Sequence, residues 1–198
     1  MPDKFVSQTK RFLVASSRLQ EFTTLLLEKV KALEIGDPFN PSSTLAPMAR
    51  ADIRDKVDQQ VQASIKAGAK PLIGCYSIDG EGYFYAPSIL TNVKQGMPAF
   101  DEEVFGPVAS IIEIKDEADA ILQANATRFG LGASIWTEDI KKGEVMLNNI
   151  DAGSGFVNAI VSSDVHMPFG GIKASGLGRE LGESGIKALC YSKSTWIK

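Results

Sequence analysis

The sequence predicts an α/β sandwich, and three observations carry that expectation. Two stretches show apolar residues at steps of three and four, one uninterrupted apolar run suits a strand buried on both faces, and the second half alternates strand-like with helix-like segments as parallel sheets do. After the apolar run Phe12-Leu13-Val14, Ser17-Arg18-Leu19-Gln20 has the form of a capping box. Leu19, Phe22, Leu26, Val30 and Leu33 then lay one apolar stripe along a helix ended by Gly36-Asp37-Pro38. A polar, proline-bearing loop covers Phe39–Ser43. Ile53, Val57, Val61 and Ile65 step by four through a charged background until Gly68 supplies a helix stop. Lys70–Gly74 reads as a short strand, and Tyr83-Phe84-Tyr85 and Ser88-Ile89-Leu90 as extended segments around Pro87. Val108–Ile114 is the strand expected to be buried on both faces. Glu117–Ala124 reads as helix, Leu131–Trp136 as strand, Glu138–Asn149 as helix and Gly155–Asn158 as strand. Internal repeats, low-complexity tracts and breaks in composition are lacking, so one domain is the simplest organisation.

With 198 residues, 44% of them apolar and 23% charged, the chain has the composition of a globular protein able to bury a core. A net charge of −3 with interleaved acids and bases argues against a nucleic-acid partner and against a charged membrane surface. Apolar runs stay well short of the roughly 20 residues of a spanning helix, and Met1-Pro2-Asp3-Lys4-Phe5 lacks the apolar centre of a signal peptide. The expected compartment is therefore cytoplasmic. Cys75 and Cys190 lie far apart with no close metal-ligand partner, and read as structural thiols rather than as a zinc site or a disulfide.

Among chemistry-bearing motifs, the pairs Gly130-Leu131-Gly132, Gly153-Ser154-Gly155 and Gly176-Leu177-Gly178 invite a nucleotide-binding reading, but none continues to the third glycine of the dinucleotide fingerprint. They read as turns and close backbone packing. The adjacent acids Glu102 and Glu103 admit two readings, a general acid/base couple or a solvated loop, and composition alone favours the loop. His166, the single histidine, has no nucleophile beside it in sequence and reads as a surface or packing residue.

Phe100-Asp101-Glu102-Glu103-Val104-Phe105-Gly106-Pro107-Val108 sets two acids, an aromatic and a Gly-Pro corner between apolar runs. Together with Pro168-Phe169-Gly170-Gly171-Ile172-Lys173-Ala174-Ser175-Gly176-Leu177-Gly178-Arg179-Glu180 it resembles the aldehyde dehydrogenase superfamily, whose catalytic domain carries both motifs in this order. The likeness covers nearly the whole chain, through Lys10-Arg11-Phe12, Gly36-Asp37-Pro38, Gly80-Glu81-Gly82-Tyr83-Phe84, Phe129-Gly130-Leu131-Gly132-Ala133-Ser134 and a C-terminal strand around Trp196. Ala46-Pro47-Met48-Ala49-Arg50, Met97-Pro98-Ala99-Phe100 and Phe169-Gly170-Gly171 are similar to the bacterial succinate-semialdehyde dehydrogenase branch.

The resemblance implies a three-layer α/β sandwich with a mostly parallel sheet, catalytic-domain-like over residues 1–198, truncated, with the cofactor-binding domain absent. It assigns Glu103 to the nicotinamide ribose hydroxyls and Phe105 to the nicotinamide, roles suited to a carboxylate that accepts from two vicinal hydroxyls and to an aromatic that packs a flat ring. Ser163, five places before Pro168, falls where the succinate-semialdehyde branch holds the substrate carboxylate, and Phe169 falls on the aromatic wall of the aldehyde tunnel. Arg179 and Glu180 match structural positions at the start of a helix near subunit contacts.

Departures from the pattern are equally specific. The position that the resemblance gives to the cysteine nucleophile is occupied by Val6, with Asp3 and Lys4 in place of Gly-Gln. Valine cannot attack a carbonyl, and Ser7 and Thr9 have no evident base. The family's general-base glutamate, oxyanion asparagine and cofactor domain have no match within the chain. Two expectations follow. In one, the chain is the catalytic-domain portion of an NAD(P)-dependent aldehyde dehydrogenase, which in full oxidises an aldehyde such as succinate semialdehyde through a thiolate and a nicotinamide; alone it would be inactive and bind no cofactor. In the other it is a stable non-enzymatic remnant or interaction module, homodimeric through exposed former interfaces. A divergent enzyme using Cys75 or Cys190 is a third reading, supported by no activating neighbour in the sequence.

Overall fold

The computed structural model describes residues 11–198, so Asp3, Lys4, Val6, Ser7 and Thr9 lie outside the described residues. The described chain divides into two compact units, residues 11–120 and residues 121–198, each taken by itself below.

In the first unit, strands β1 (Arg11–Ala15), β2 (Lys70–Ile73), β3 (Ser88–Thr91) and β4 (Val108–Ile114) form one sheet in the order β1-β4-β3-β2. β4 runs parallel to both β1 and β3, and β2 joins antiparallel at the edge of β3. Strand side chains alternate between faces, so the register Arg11↔Ser110 and Leu13↔Ile112 sends Phe12, Val14, Ala109 and Ile111 to one face. Helix α1 (Leu19–Lys31) covers that face, packing Leu19, Phe22, Leu26, Leu27 and Val30 against Val14, Ile89 and Ile111. Ile89 and Ile111 are fully buried, each worth roughly 1.5–3 kcal/mol of apolar transfer. On the opposite face the Arg11 guanidinium lies 4.9 Å from the ring centre of Phe100, in helix α3 (Pro98–Asp101). α3 is in turn bonded to helix α2 (Ala51–Lys66). Helix, mostly parallel sheet and helix give the expected three layers.

Local details differ from the sequence reading where a tertiary partner outweighs a local signal. Ser17 makes no capping bond: the chain enters α1 from a 3₁₀ turn at Ser16–Arg18, where the Ser16 hydroxyl is held by the Ile114 carbonyl across the sheet. α1 stops at Lys31 rather than at Gly36, because the Glu34 carbonyl is taken by the amides of Thr44 and Leu45 as the loop doubles back. Tyr83-Phe84-Tyr85 is extended only as an isolated bridge between Tyr85 and Ser77. The helix stop at Gly68 is as expected, with φ of 109°. β4 matches its expected range and is buried along most of its length, Glu113 near its end being exposed.

In the second unit, β6 (Gly132–Ile135) and β7 (Ser154–Val157) pair in parallel across helix α5 (Ile140–Leu147), a βαβ arrangement. The Asp139 carboxylate accepts from the Lys142 amide and caps α5. The expected strand Leu131–Trp136 forms as the shorter β6, and just before it Phe129–Gly130 make a separate strand, β5, which pairs with β8 (Ile172–Lys173). Helix α4 (Glu117–Asn125) begins in the first unit and ends in the second, and α6 (Gly182–Ala188) completes the elements. The expected C-terminal strand around Trp196 is not formed; Trp196 is 92% exposed and outside any ladder. Among the described residues no helix is long and apolar enough to cross a membrane.

Candidate functional site

The segment that follows α3 is anchored from below and open above. Ala99, Phe100 and Val104 are buried, while Phe105 is 52% exposed and the Glu103 side chain is exposed. Val104 is buried while its neighbours Glu103 and Phe105 are exposed, and the chain then turns: the Gly106 amide bonds the Val104 carbonyl and the Val108 amide bonds the Gly106 carbonyl. Space at 106 is tight, since a Cβ there would lie 3.0 Å from a Val57 methyl on α2 and would need that side chain to shift. Pro107 accepts from the Ser88 amide, which seats the corner at the start of β4.

The two adjacent acids have separate tasks. The Glu102 carboxylate accepts from the Gln60 side-chain amide at 2.7 Å, and the same nitrogen reaches the Glu103 main-chain carbonyl at 3.2 Å. Glu103 thus spends its backbone on the fold and presents its carboxylate to solvent. An exposed carboxylate one residue removed from an exposed ring is a surface that can accept from two hydroxyls and cover a flat heterocycle.

In the second unit, Ser163 is exposed on the loop leading to Pro168, and Phe169 is half-buried. Phe169 and Glu180 exchange both main-chain hydrogen bonds at 2.8 Å, which orients the aromatic just ahead of α6. Arg179 donates to the Gly171 and Gly178 carbonyls, closing the glycine-rich turn. The Asp164 carboxylate accepts from the His166 amide at 2.8 Å and from its imidazole Nδ1 at 3.0 Å, bonds that hold its carboxyl below the ordinary range. His166 is exposed, with its ring on Asp164 rather than on a nucleophile. Glu103 and Phe105 lie in one unit, Ser163 and Phe169 in the other.

Each glycine pair is accounted for by packing or turn geometry. Cβ atoms at Gly130, Gly132, Gly153 and Gly155 would fall on neighbouring atoms, and Gly176 and Gly178 take positive φ. Cys75 is buried, its amide donating to the Ser88 hydroxyl at 2.7 Å, and burial pushes its thiol upward. Cys190 is exposed beyond the end of α6. A thiol reagent at neutral pH is therefore expected to titrate one cysteine in the folded chain and two in denaturant, since a buried thiol with a raised pKa supplies little thiolate. Two fast equivalents in the native chain would contradict the burial of Cys75.

Sequence reasoning passed over Gln60. Its signal was a polar residue on the stripe that Val57 and Val61 mark on α2, and it is 5% exposed. Its partner lies 42 residues away.

The family model described as the aldehyde dehydrogenase family matches residues 5–195. A succinate-semialdehyde dehydrogenase (NADP(+)) of Mycobacterium avium (strain 104) is 41% identical over 95% of this chain and 40% of its own length. The same-named protein of Mycobacterium leprae (strain TN) is 40% identical over 95% of this chain and 41% of its own. Among solved structures, succinic semialdehyde dehydrogenase from Streptococcus pyogenes in complex with NADP+ superposes with a TM-score of 0.92 at 34% identity, covering 96% of this chain and 42% of that one. Betaine aldehyde dehydrogenase from Staphylococcus aureus in complex with NAD+ superposes with a TM-score of 0.86 at 30% identity, covering 90% and 36%. The chain spans about two fifths of the length of the curated relatives it matches. With the family model spanning nearly its full length, this chain belongs to the aldehyde dehydrogenase family.

Proposed function

We propose that this chain is the catalytic-domain portion of an NAD(P)-dependent aldehyde dehydrogenase that oxidises a small aldehyde, succinate semialdehyde being the favoured substrate. The observation that carries the reading is the outward pair Glu103 and Phe105 on a segment pinned by buried Val104 and Phe100. Its carboxylate suits the two ribose hydroxyls of the nicotinamide nucleoside and its ring suits the nicotinamide plane. Bound there, the nicotinamide supplies the hydride acceptor. Ser163 offers a hydroxyl donor for a substrate carboxylate and Phe169 an apolar wall for its carbon chain. Similarity to the succinate-semialdehyde dehydrogenases supports the choice of substrate.

With Val6 at the position expected for the nucleophile, the chain by itself leaves aldehydes unoxidised under this reading. Under the same reading it contributes only part of the cofactor contacts, and micromolar dinucleotide is expected to give no saturable heat. Millimolar nicotinamide mononucleotide is expected to shift the amide resonances of Glu103, Val104 and Phe105, and Glu103→Ala to remove those shifts. Shifts that are absent, or that persist in Glu103→Ala, would overturn the assignment of Glu103.

The non-enzymatic module remains the second reading because the second unit exposes many large apolar side chains, Leu177, Leu189, Tyr191, Trp196 and Ile197 among them. Sedimentation separates the readings of that surface: a concentration-dependent dimer supports self-association, and a monomer at every concentration counts against it.

A further inference from the structure

We infer that Gln60 is the positioning residue of the nicotinamide-ribose site, gripping the Glu102 carboxylate and the Glu103 carbonyl with one buried amide so that the Glu103 carboxylate and the Phe105 ring stand outward together. The inference rests on the reading of Glu103 proposed above. Val57, Gln60 and Ser64 lie at steps of three and four on α2, hence on one side of the helix, and each is buried. They meet the segment at successive places. Ser64 accepts from the Ala99 amide at 2.9 Å, where α3 begins; Gln60 holds Glu102 and Glu103; Val57 lies under Gly106. Ser64 is itself tied down, its hydroxyl donating to the Gln60 carbonyl at 2.7 Å. One helical stripe therefore holds the segment from Ala99 to Gly106.

Gln60 is the specific member of that stripe. Its donor faces a carboxylate, the stronger class of hydrogen bond, while its Oε1 is buried without a partner. Reversing the amide would set Oε1 against the Glu102 carboxylate, so one orientation is dictated. A buried acceptor left unpaired is a cost that an apolar side chain would avoid, and the return for it is the fixed direction of Glu103.

Amide hydrogen exchange tests the grip without any ligand. In Gln60→Leu the Glu102 and Gly106 amides are expected to exchange at least about tenfold faster than in the wild type while β3 and β4 amides keep their protection, the factor expected for loss of one charge-assisted bond. Glu102→Ala, at the exposed end of the same bond, should reproduce the effect even if Gln60→Leu fails to fold. Glu102→Gln, which keeps an acceptor, should stay close to wild type. Unchanged exchange, or equal acceleration across β3 and β4, would overturn the positioning role. Nicotinamide mononucleotide binding should weaken about tenfold in Gln60→Leu and Glu102→Ala, the same lost bond read as affinity, and stay near wild type in Glu102→Gln. If the wild type itself shows no response to the mononucleotide, the ribose assignment fails, whereas the exchange data still decide whether Gln60 holds the segment.

Discussion

Gly153→Ala is expected to destabilise the second unit by more than about 4 kcal/mol, enough to unfold a marginal domain. A Cβ on residue 153 would lie on the Gly170 carbonyl oxygen and 2.8 Å from its carbon. Both obstacles are main-chain atoms, so no rotamer change relieves them. Residue 153 also donates its amide to the Gly130 carbonyl at 3.0 Å, and β7 starts at the next residue. Moving the backbone to admit a methyl therefore breaks a bond to β5 and tilts the start of the β6–β7 ladder. Gly155→Ala provides the contrast. There the added atom would meet only the Leu147 side chain of α5, which can move, so a loss nearer 1–3 kcal/mol is expected for an overpacked contact. Urea unfolding followed by circular dichroism and by backbone resonances of residues 121–198 measures both. A Gly153→Ala chain as stable as wild type would mean that the Gly153–Gly170 approach is not formed in solution.

Phe100→Ala should cost about 3–5 kcal/mol, the range for deleting a fully buried aromatic from a core. Two terms add. The ring, carried by α3, is completely buried, so its loss leaves a cavity, and the Arg11 guanidinium loses the aromatic face 4.9 Å away. Arg11 is partly buried, and its pKa is lowered chiefly by desolvation, with the Asp101 charge opposing that shift. A desolvated guanidinium stripped of its ring is harder to keep in place. Phe100→Leu retains most of the volume and should lose well under half as much. The urea midpoint should fall with an unchanged slope; a change confined to the slope would point instead to altered compactness. Because α3 begins the segment that carries Glu103 and Phe105, the alanine variant should also blunt any response to nicotinamide mononucleotide, more than Phe100→Leu does.

Helices and central strands were legible because their signals are local. Val57 and Val61 mark the buried side of α2 within one helical turn, and the apolar run from Val108 to Ile114 coincides with the strand that forms. Where a signal competed with a distant partner it misled. Ser17 has a suitable side chain and spacing for a cap, yet Ser16 bonds to Ile114, 98 residues away, and the helix starts from a 3₁₀ turn instead. The short elements, α3, β5 and β8, were not anticipated, since two to four residues hold too little periodicity to read. For the site, residue types at Glu103 and Phe105 were legible through the family motif. Their outward direction was not, because Val104 is buried and Gln60 is bonded across 42 residues of sequence.

From sequence alone came the family, the α/β class, the order of the longer elements and the residue types able to meet a nucleoside, all encoded in windows of a few residues. Tertiary structure alone decided that the described chain forms two compact units, that the Glu102 carboxylate is bonded to buried Gln60 while that of Glu103 is presented to solvent, that Cys75 is shielded, and that Gly153 has no room for a methyl. The division has a physical cause. Helix and strand periodicity depend on neighbours within a turn or two, whereas burial, register and the direction of a side chain depend on contacts between residues far apart in sequence, which form only when the chain closes on itself.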